Sequence, residues 1–547
     1  MAYILEHSQQ CVLGGNTCNA KVFVVDEDKF SKGRKKASKK FKVVLIAIFL
    51  LFPGMDLFSL GFLLFLSLVF VYLYFEFLPS NNKGFKTYPL LGVLPEFLKN
   101  RHRFLEWTTQ VLRDCPTNTA VFSRPGKVQG IITANPNNVE HILKTKFHNY
   151  PKGERFIYLL QDFLGNGIFN SDGDLWKIQR KTASYEFNTK SLRNFVMQSV
   201  TVEIETRLLP ILSRASETNR TLDLQDLLER FAFDNVCTLA FNVDPACLGG
   251  DGTAGAEFMR AFEDAAMLSS GRFMSMLPIT WRIKKFLKIG TERRLRESIA
   301  IVHNFADEII RSRLDSKGAT CNDDLLSRFI RTEDNSPDFL RDIVISFILA
   351  GRDTTSSALS RFFWILCSNP DVKEKIRNEI QRIRSVTRVA AFGYEELKEM
   401  HYLHAAISET MRLYPPVPID TLACLNDDVL PDGTSIRKGW FISYHAYAMG
   451  RMESVWGKDS TEYKPERWLE NGVFKTDSPF RFPVFHAGPR MCLGKEMAYI
   501  QMKSIAASVM EKFDIDPVDK DTCPQHLLSL TLRIKGGLPV RIKGKGS

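Results

Sequence analysis

The sequence predicts a mainly α protein with small β-sheets, built as a single large domain over residues 80–547 behind an N-terminal membrane anchor. Three observations carry this expectation. Helical periodicity runs through six long segments, whereas strand-like runs are few and short. No repeat, low-complexity stretch or linker interrupts the chain after Tyr88. Leu57 to Phe75 forms 19 consecutive positions without a charge, close to the roughly 20 residues that a helix needs to cross the hydrocarbon core.

The elements follow in order from the N-terminus. Residues 29–42 hold eight positive charges and no acid, and removing those eight from the net +11 leaves +3. The basicity is therefore local. Beside an apolar segment it suits an anionic membrane surface better than a nucleic-acid groove, and a solvated basic tail accounts for it equally well. Val43 to Phe52 is a second apolar run, too short to span and broken by Pro53-Gly54. Either it forms a shallow re-entrant segment, or Met55 opens a self-sufficient signal anchor over 55–79 and residues 1–54 are an upstream extension; the second reading is preferred.

Beyond the anchor, 44% hydrophobic and 25% charged residues, with 41 phenylalanines, are the composition of a folded protein and argue against disorder. Ten cysteines lie at 11, 18, 115, 237, 247, 321, 367, 424, 492 and 523 without a CxxC pair, as expected of a reduced cytosolic body. Helices are expected over 191–214, 256–266, 291–314, 338–368, 395–413 and 494–512, and strands near 119–133, 439–444 and 528–542. Ser336-Pro337 supplies a cap and first-turn proline, and the next stop is Pro370. About 30 residues of helix, roughly 45 Å, lie between them. Gly351 in its middle costs about 1 kcal/mol relative to alanine, so something is expected to need the space beside it. Gly250-Asp251-Gly252-Thr253-Ala254-Gly255 matches GxGxxG but follows no strand and sits in no βαβ unit, so it reads as a loop.

The densest chemical signal is Phe485-His486-Ala487-Gly488-Pro489-Arg490-Met491-Cys492-Leu493-Gly494. Glycines flank a cysteine-centred turn that opens a helix. They let backbone approach a flat macrocycle, and the positive end of the helix favours a thiolate. This run resembles the haem loop of the cytochrome P-450 superfamily, Phe-x-x-Gly-x-Arg-x-Cys-x-Gly, at every fixed position. The resemblance implies the fold of that superfamily and a haem b whose iron takes Cys492 as axial thiolate, with Phe485, Gly488, Arg490 and Gly494 shaping the cradle. His486 occupies a variable position of the pattern and is read as a packing residue, not a ligand.

The resemblance extends over Tyr88 to Ile542. Glu409 and Arg412 match its ExxR motif and Pro465-Glu466-Arg467-Trp468 its PERF-like motif. This implies a buried structural network of Glu409, Arg412 and Arg467 behind the haem loop, where losing one partner strands a charge at several kcal/mol. Trp176 and Arg180 match the WxxxR whose arginine meets a haem propionate, and Arg490 is a second propionate candidate. Asp353 and Thr354 match the acid and alcohol that deliver protons during oxygen activation, the threonine distorting its helix by bonding the carbonyl of Ala350.

Tyr88-Pro89-Leu90-Leu91-Gly92, Tyr447-Ala448-Met449-Gly450-Arg451-Met452 and Ala487-Gly488-Pro489-Arg490 look like the plant fatty-acid ω-hydroxylase branch. That likeness implies a monooxygenase acting on the terminal or near-terminal carbon of fatty acids or related carboxylates, or alternatively on a jasmonoyl-amino-acid conjugate. O2 would be the oxidant, and electrons would come from NADPH through a separate cytochrome P-450 reductase, since no flavin or nicotinamide module is visible. No nucleic-acid partner is expected. The place implied is the endoplasmic reticulum membrane, with a single-pass anchor and a cytosolic catalytic domain. By order along the chain, Val417 to Leu422 and Leu528 to Thr531 should line the substrate pocket. A haem-thiolate isomerase or dehydratase, needing no reductase, and a non-catalytic haem carrier are the competing classes. The long basic preface, and prolines spaced at 79, 89 and 95 instead of a tight hinge, depart from the family pattern.

Overall fold

The computed structural model describes residues 61, 62, 65–67, 69, 70 and 84–545, apart from 89–90, 126–127, 188–189, 250–254, 276, 316–323, 332–335, 388–391 and 521. The basic extension lies outside the described residues, as does the anchor except for seven helical positions between 61 and 70. Among the described residues, no helix is long and apolar enough to cross a membrane. The chain divides into two compact units, Met1–Leu78 and Pro79–Ser547.

The second unit is mainly helical with small sheets. Its four-stranded sheet begins with the antiparallel hairpin Thr119–Arg124 and Val128–Thr133, on which Phe441–Tyr444 pairs parallel, with Asp420–Ala423 at the far edge. Gly130 stands opposite Phe441 in register, and a Cβ on it would come within 2.5 Å of the Phe441 ring. The glycine thus lets that ring lie across its neighbour strand. The C-terminal strands expected over 528–542 appear as His526–Leu528, Leu532–Ile534 and Pro539–Gly544.

Among the described residues, three large apolar clusters form most of the core. One joins the helices Thr354–Cys367, His401–Leu413 and Lys495–Lys512, with Phe362, Ile376 and Ala506 fully buried. A second joins Leu224–Phe241, Ala256–Gly271, Gly290–Asp315 and Pro337–Ile348. The third lies beneath the four-stranded sheet. Each fully buried large aliphatic or aromatic side chain contributes about 1.5–3 kcal/mol.

The helix expected between Pro337 and Pro370 is continuous but not uniform. Ser336 Oγ accepts from Phe339 N–H at 3.2 Å and caps the first stretch, Pro337–Ile348. A π-turn follows at Leu349–Asp353, and Thr354–Cys367 resumes the α-helix. The space beside Gly351 is filled: a Cβ there would come within 2.5 Å of Val236 on the helix Leu224–Phe241. The glycine serves the close approach of two helices. Of the GxGxxG segment only Gly255 is described, at φ +66° ahead of the helix Ala256–Gly271.

Candidate active site

Cys492 is presented by a loop that closes on itself. A turn at Pro483–Phe485 leads into His486, whose backbone takes φ +60°. A second turn, Gly488–Arg490, precedes the cysteine. Cys492 N–H donates to Phe485 O at 2.8 Å, and Met491 N–H to Gly488 O at 3.0 Å. Gly488 sits at φ +64°, and a Cβ there would collide with the carbonyl of Leu143. Both the dihedral and the close approach demand glycine. Gly494 then opens the helix Lys495–Lys512, accepting from Ala498 N–H at 2.8 Å. Phe485 packs at 5.3 Å on Tyr499 of that helix.

The sulfur is surrounded by protein yet keeps accessible surface, because it opens on a cavity of about 570 Å³. That volume falls within the range of small-molecule and cofactor pockets. Burial pushes the Cys492 thiol up, while the Gly494 N–H and the cations of Arg180 and Lys495 act the other way. Most of the cavity wall is apolar, with Phe156, Leu164, Phe169, Leu349, Val417 and Leu528 among the lining residues. Both segments expected to line it do so, through Val417, Ile419, Asp420, Thr421 and Leu422 and through Leu528 to Thr531.

Trp176 and Arg180 lie one turn apart on the helix Gly173–Phe187, and both face the cavity. Arg180 donates to Met491 O beside the sulfur and has no carboxylate partner among the described residues. The Arg490 guanidinium lies 4.4 Å from the Trp176 ring. One of its nitrogens is held by Asp172 at 2.7 Å and Ser171 O at 3.0 Å, while its buried Nε has no partner. The His486 ring bonds its own loop, with Nδ1 accepting from Ala487 N–H at 2.8 Å. Its Nε2 stands 3.5 Å from Asp420, a carboxyl held well below its usual range: burial alone would raise it, but Lys152 at 2.6 Å and His486 prevail.

Above the loop, Ala350, Gly351, Thr354 and Thr355 line the cavity. Thr354 Oγ1 donates to Ala350 O at 2.7 Å, within the π-turned stretch. Asp353 is not part of the cavity wall. Its carboxylate accepts from Arg352 at 2.8 Å, and Arg352 reaches Glu229 at 3.1 Å, which is also held by Arg533 at 2.6 Å. The sequence offered no sign of this buried cluster, since Glu229 and Arg533 lie far from the matched motifs.

Glu409, Arg412 and Arg467 come together in one place. Arg412 on the helix His401–Leu413 grips Glu409 with two hydrogen bonds, at 2.7 and 2.8 Å. Arg467 adds one at 2.8 Å, Trp468 Nε1 one at 2.9 Å and Lys464 N–H one at 2.9 Å. Glu409 is fully buried. Ser408 on the same helix meets Tyr499 at 2.9 Å, tying the network to the helix that follows Cys492.

The family model described as Cytochrome P-450 matches residues 83–538. The chain belongs to the cytochrome P-450 family. Cytochrome P-450 CYP94D108 of Paris polyphylla is 55% identical over 459 residues, 83% of this chain and 91% of the relative. Cytochrome P-450 94A1 of Vicia sativa is 48% identical, covering 84% of this chain and 91% of its own, and cytochrome P-450 94B1 of Arabidopsis thaliana 47%, covering 85% and 91%. The chain is therefore an oxidoreductase of the monooxygenase type, resembling the 94 branch, and the cofactor of this cytochrome P-450 is haem b with an axial cysteine thiolate. As in the family at large, O2, a redox partner and an organic substrate take part. The residues present fit the cofactor: a sulfur open to a cavity, with the unpartnered Nε of Arg490 and the carboxylate-free Arg180 nearby, suits an anionic macrocycle.

Proposed function

We propose that this cytochrome P-450 hydroxylates the terminal or near-terminal carbon of fatty acids or fatty-acid-derived carboxylates, using O2 and electrons that NADPH supplies through a reductase. The observation that supports the reading is the cavity: Cys492 and Thr354 share it, and its remaining wall is largely apolar, of aromatic and aliphatic side chains. Cys492 is assigned as the axial ligand. Trp176, Arg180 and Arg490 hold the propionates, Phe485, Gly488 and Gly494 shape the loop, and Glu409, Arg412 and Arg467 keep it in place. When bound, the haem supplies the oxidising power that replaces an aliphatic C–H by C–OH. The chain's own residues exclude water, lay the substrate along apolar walls and supply protons. Thr354, which lines the cavity with its hydroxyl bonded to Ala350 O, is the group we assign to hand a proton to reacting oxygen. Asp353, turned into its ion pair with Arg352, is given the place of a positioning residue behind it. Residues 55–79 are assigned as the anchor of an endoplasmic-reticulum protein, with residues 80–547 as its cytosolic catalytic domain and 1–54 as an extension. Reductase-supported turnover of a fatty-acid panel and a jasmonoyl-amino-acid conjugate, with products located by mass spectrometry, tests the reading. Terminally hydroxylated fatty acids are expected. Product from the conjugate alone would move the substrate class, and intact haem without NADPH-dependent product from any of them would overturn it.

A further inference from the structure

Most cations on the cavity wall are accounted for. Lys152 is neutralised by Asp420 at 2.6 Å and Arg490 by Asp172 at 2.7 Å, while Arg180 stands beside the cysteine loop. Two are left over. Arg124, at the end of the strand Thr119–Arg124, and Arg155, in the first turn of the helix Gly153–Leu164, both line the cavity and have no carboxylate partner among the described residues. Among the described residues Arg124 makes one hydrogen bond, to Phe273 O at 3.3 Å, and its buried Nε has no partner. Arg155 makes no hydrogen bond among the described residues. The two guanidiniums attend one aromatic ring: Arg155 lies 4.6 Å and Arg124 5.5 Å from the centroid of Phe441. Burial, and then the like charge of Arg155, bring the Arg124 guanidinium down to about 9. Two adjacent cations on an apolar wall, one of them with an orphaned donor, are costly unless an anion joins them.

The sheet also sets their distance from the cysteine loop. On the strand Phe441–Tyr444 the arginines attend Phe441, and Tyr444 lies 5.7 Å from the ring of His486 in the cysteine loop. Three strand residues advance roughly 10 Å. The same cavity offers apolar side chains such as Phe156, Leu160 and Leu422 to an extended chain.

We propose that Arg124 and Arg155 form a carboxylate-binding subsite that holds the acid end of the substrate and thereby sets which carbon reaches the oxygen-activating end. The inference rests on the proposed fatty-carboxylate reading and deepens it. A guanidinium presents paired N–H donors that match a carboxylate, which neither an ester nor an alcohol reproduces. A conjugate that keeps a free carboxylate would meet the same pair.

The test uses the haem-loaded full-length enzyme, titrated with dodecanoic acid and with its methyl ester, with affinity read from the substrate-induced change in the haem spectrum. The wild type should favour the acid by about tenfold or more. Arg124→Gln, Arg155→Gln and the double variant should collapse that preference towards unity, with Arg155→Lys retaining part of it. Product positions should spread inward from the terminal carbon in the double variant. An intact ferrous–carbonyl spectrum shows that each variant is folded around haem. An acid-to-ester ratio and product distribution unchanged in the double variant would overturn the subsite while leaving fatty-acid hydroxylation standing. A wild type that neither binds nor oxidises the acid or the ester would overturn both.

Discussion

At the residue scale, function in this cytochrome P-450 turns on which side chains meet the cavity, and adjacent residues part company there. Thr354 faces it; Asp353 does not, because its carboxylate is taken by Arg352 within a buried cluster with Glu229 and Arg533. The motif made the two look equivalent, and only the turn of the helix separates them. Replacing Thr354 by alanine removes a hydroxyl at the cavity wall without touching the cysteine loop. Thr354→Ala is expected to keep its haem spectrum but to lower product formed per NADPH consumed by about tenfold or more, with hydrogen peroxide making up the balance and Thr354→Ser recovering most of the loss. Coupling undiminished in the alanine variant would remove Thr354 from proton delivery. Cys492, Glu409, Arg412 and Arg467 were visible in the sequence because close spacing with glycines or a fixed order marks them. Arg124 and Arg155 were not visible: 31 positions of sequence separate them, and only the assembled sheet and helix bring both to the ring of Phe441.

At the element scale, the ends of the central helix were legible from Ser336-Pro337 and Pro370, and a distortion at Ala350 from the family resemblance of Thr354, but the form of that distortion, a π-turn over Leu349–Asp353, was not, since no residue type specifies that widening by itself. The helix Leu224–Phe241 went unrecognised for a different reason. It buries residues on almost every side, from Leu224 and Leu228 to Asp234 and Phe241, so it lacks the polar face that makes a helical period visible. The two elements meet where Gly351 leaves room for Val236. Gly351→Ala gains helix propensity yet drives a methyl into that side chain. The clash should dominate, destabilising the protein by about 1–3 kcal/mol in denaturant unfolding. Shortening the opposing side chain in the double variant Gly351→Ala, Val236→Ala should return more than half of that cost. Strictly additive losses in the double-mutant cycle would show that the glycine answers to something other than this contact.

At the scale of the whole molecule, the absence of an evident linker in the sequence from residue 80 onward carries the reading of one large domain, and Pro79–Ser547 forms the second of two compact units. Its three apolar clusters draw on helices and strands from Phe85 to Ile542, so closure of the core needs nearly the full length of that unit. Among the described residues, those clusters begin at Phe85. A chain beginning at Pro79 should therefore fold, load haem and hydroxylate with the same products as the full chain when a reductase is supplied in solution. Its unfolding free energy should lie within about 1 kcal/mol of the full-length value. What should change is partition: the full chain is expected to sediment with membranes, and the shortened one to stay in the supernatant. Loss of the ferrous–carbonyl band on truncation would mean that earlier residues are needed to close the domain. Retention in the membrane pellet would place the affinity in the domain body, where Ile279, Ile283 and Phe286 of the helix Pro278–Leu287 are exposed and Phe286 keeps 84% of its surface. Replacing those three by serine in the shortened chain would then release it, whereas a shortened chain already in the supernatant assigns membrane attachment to the residues removed.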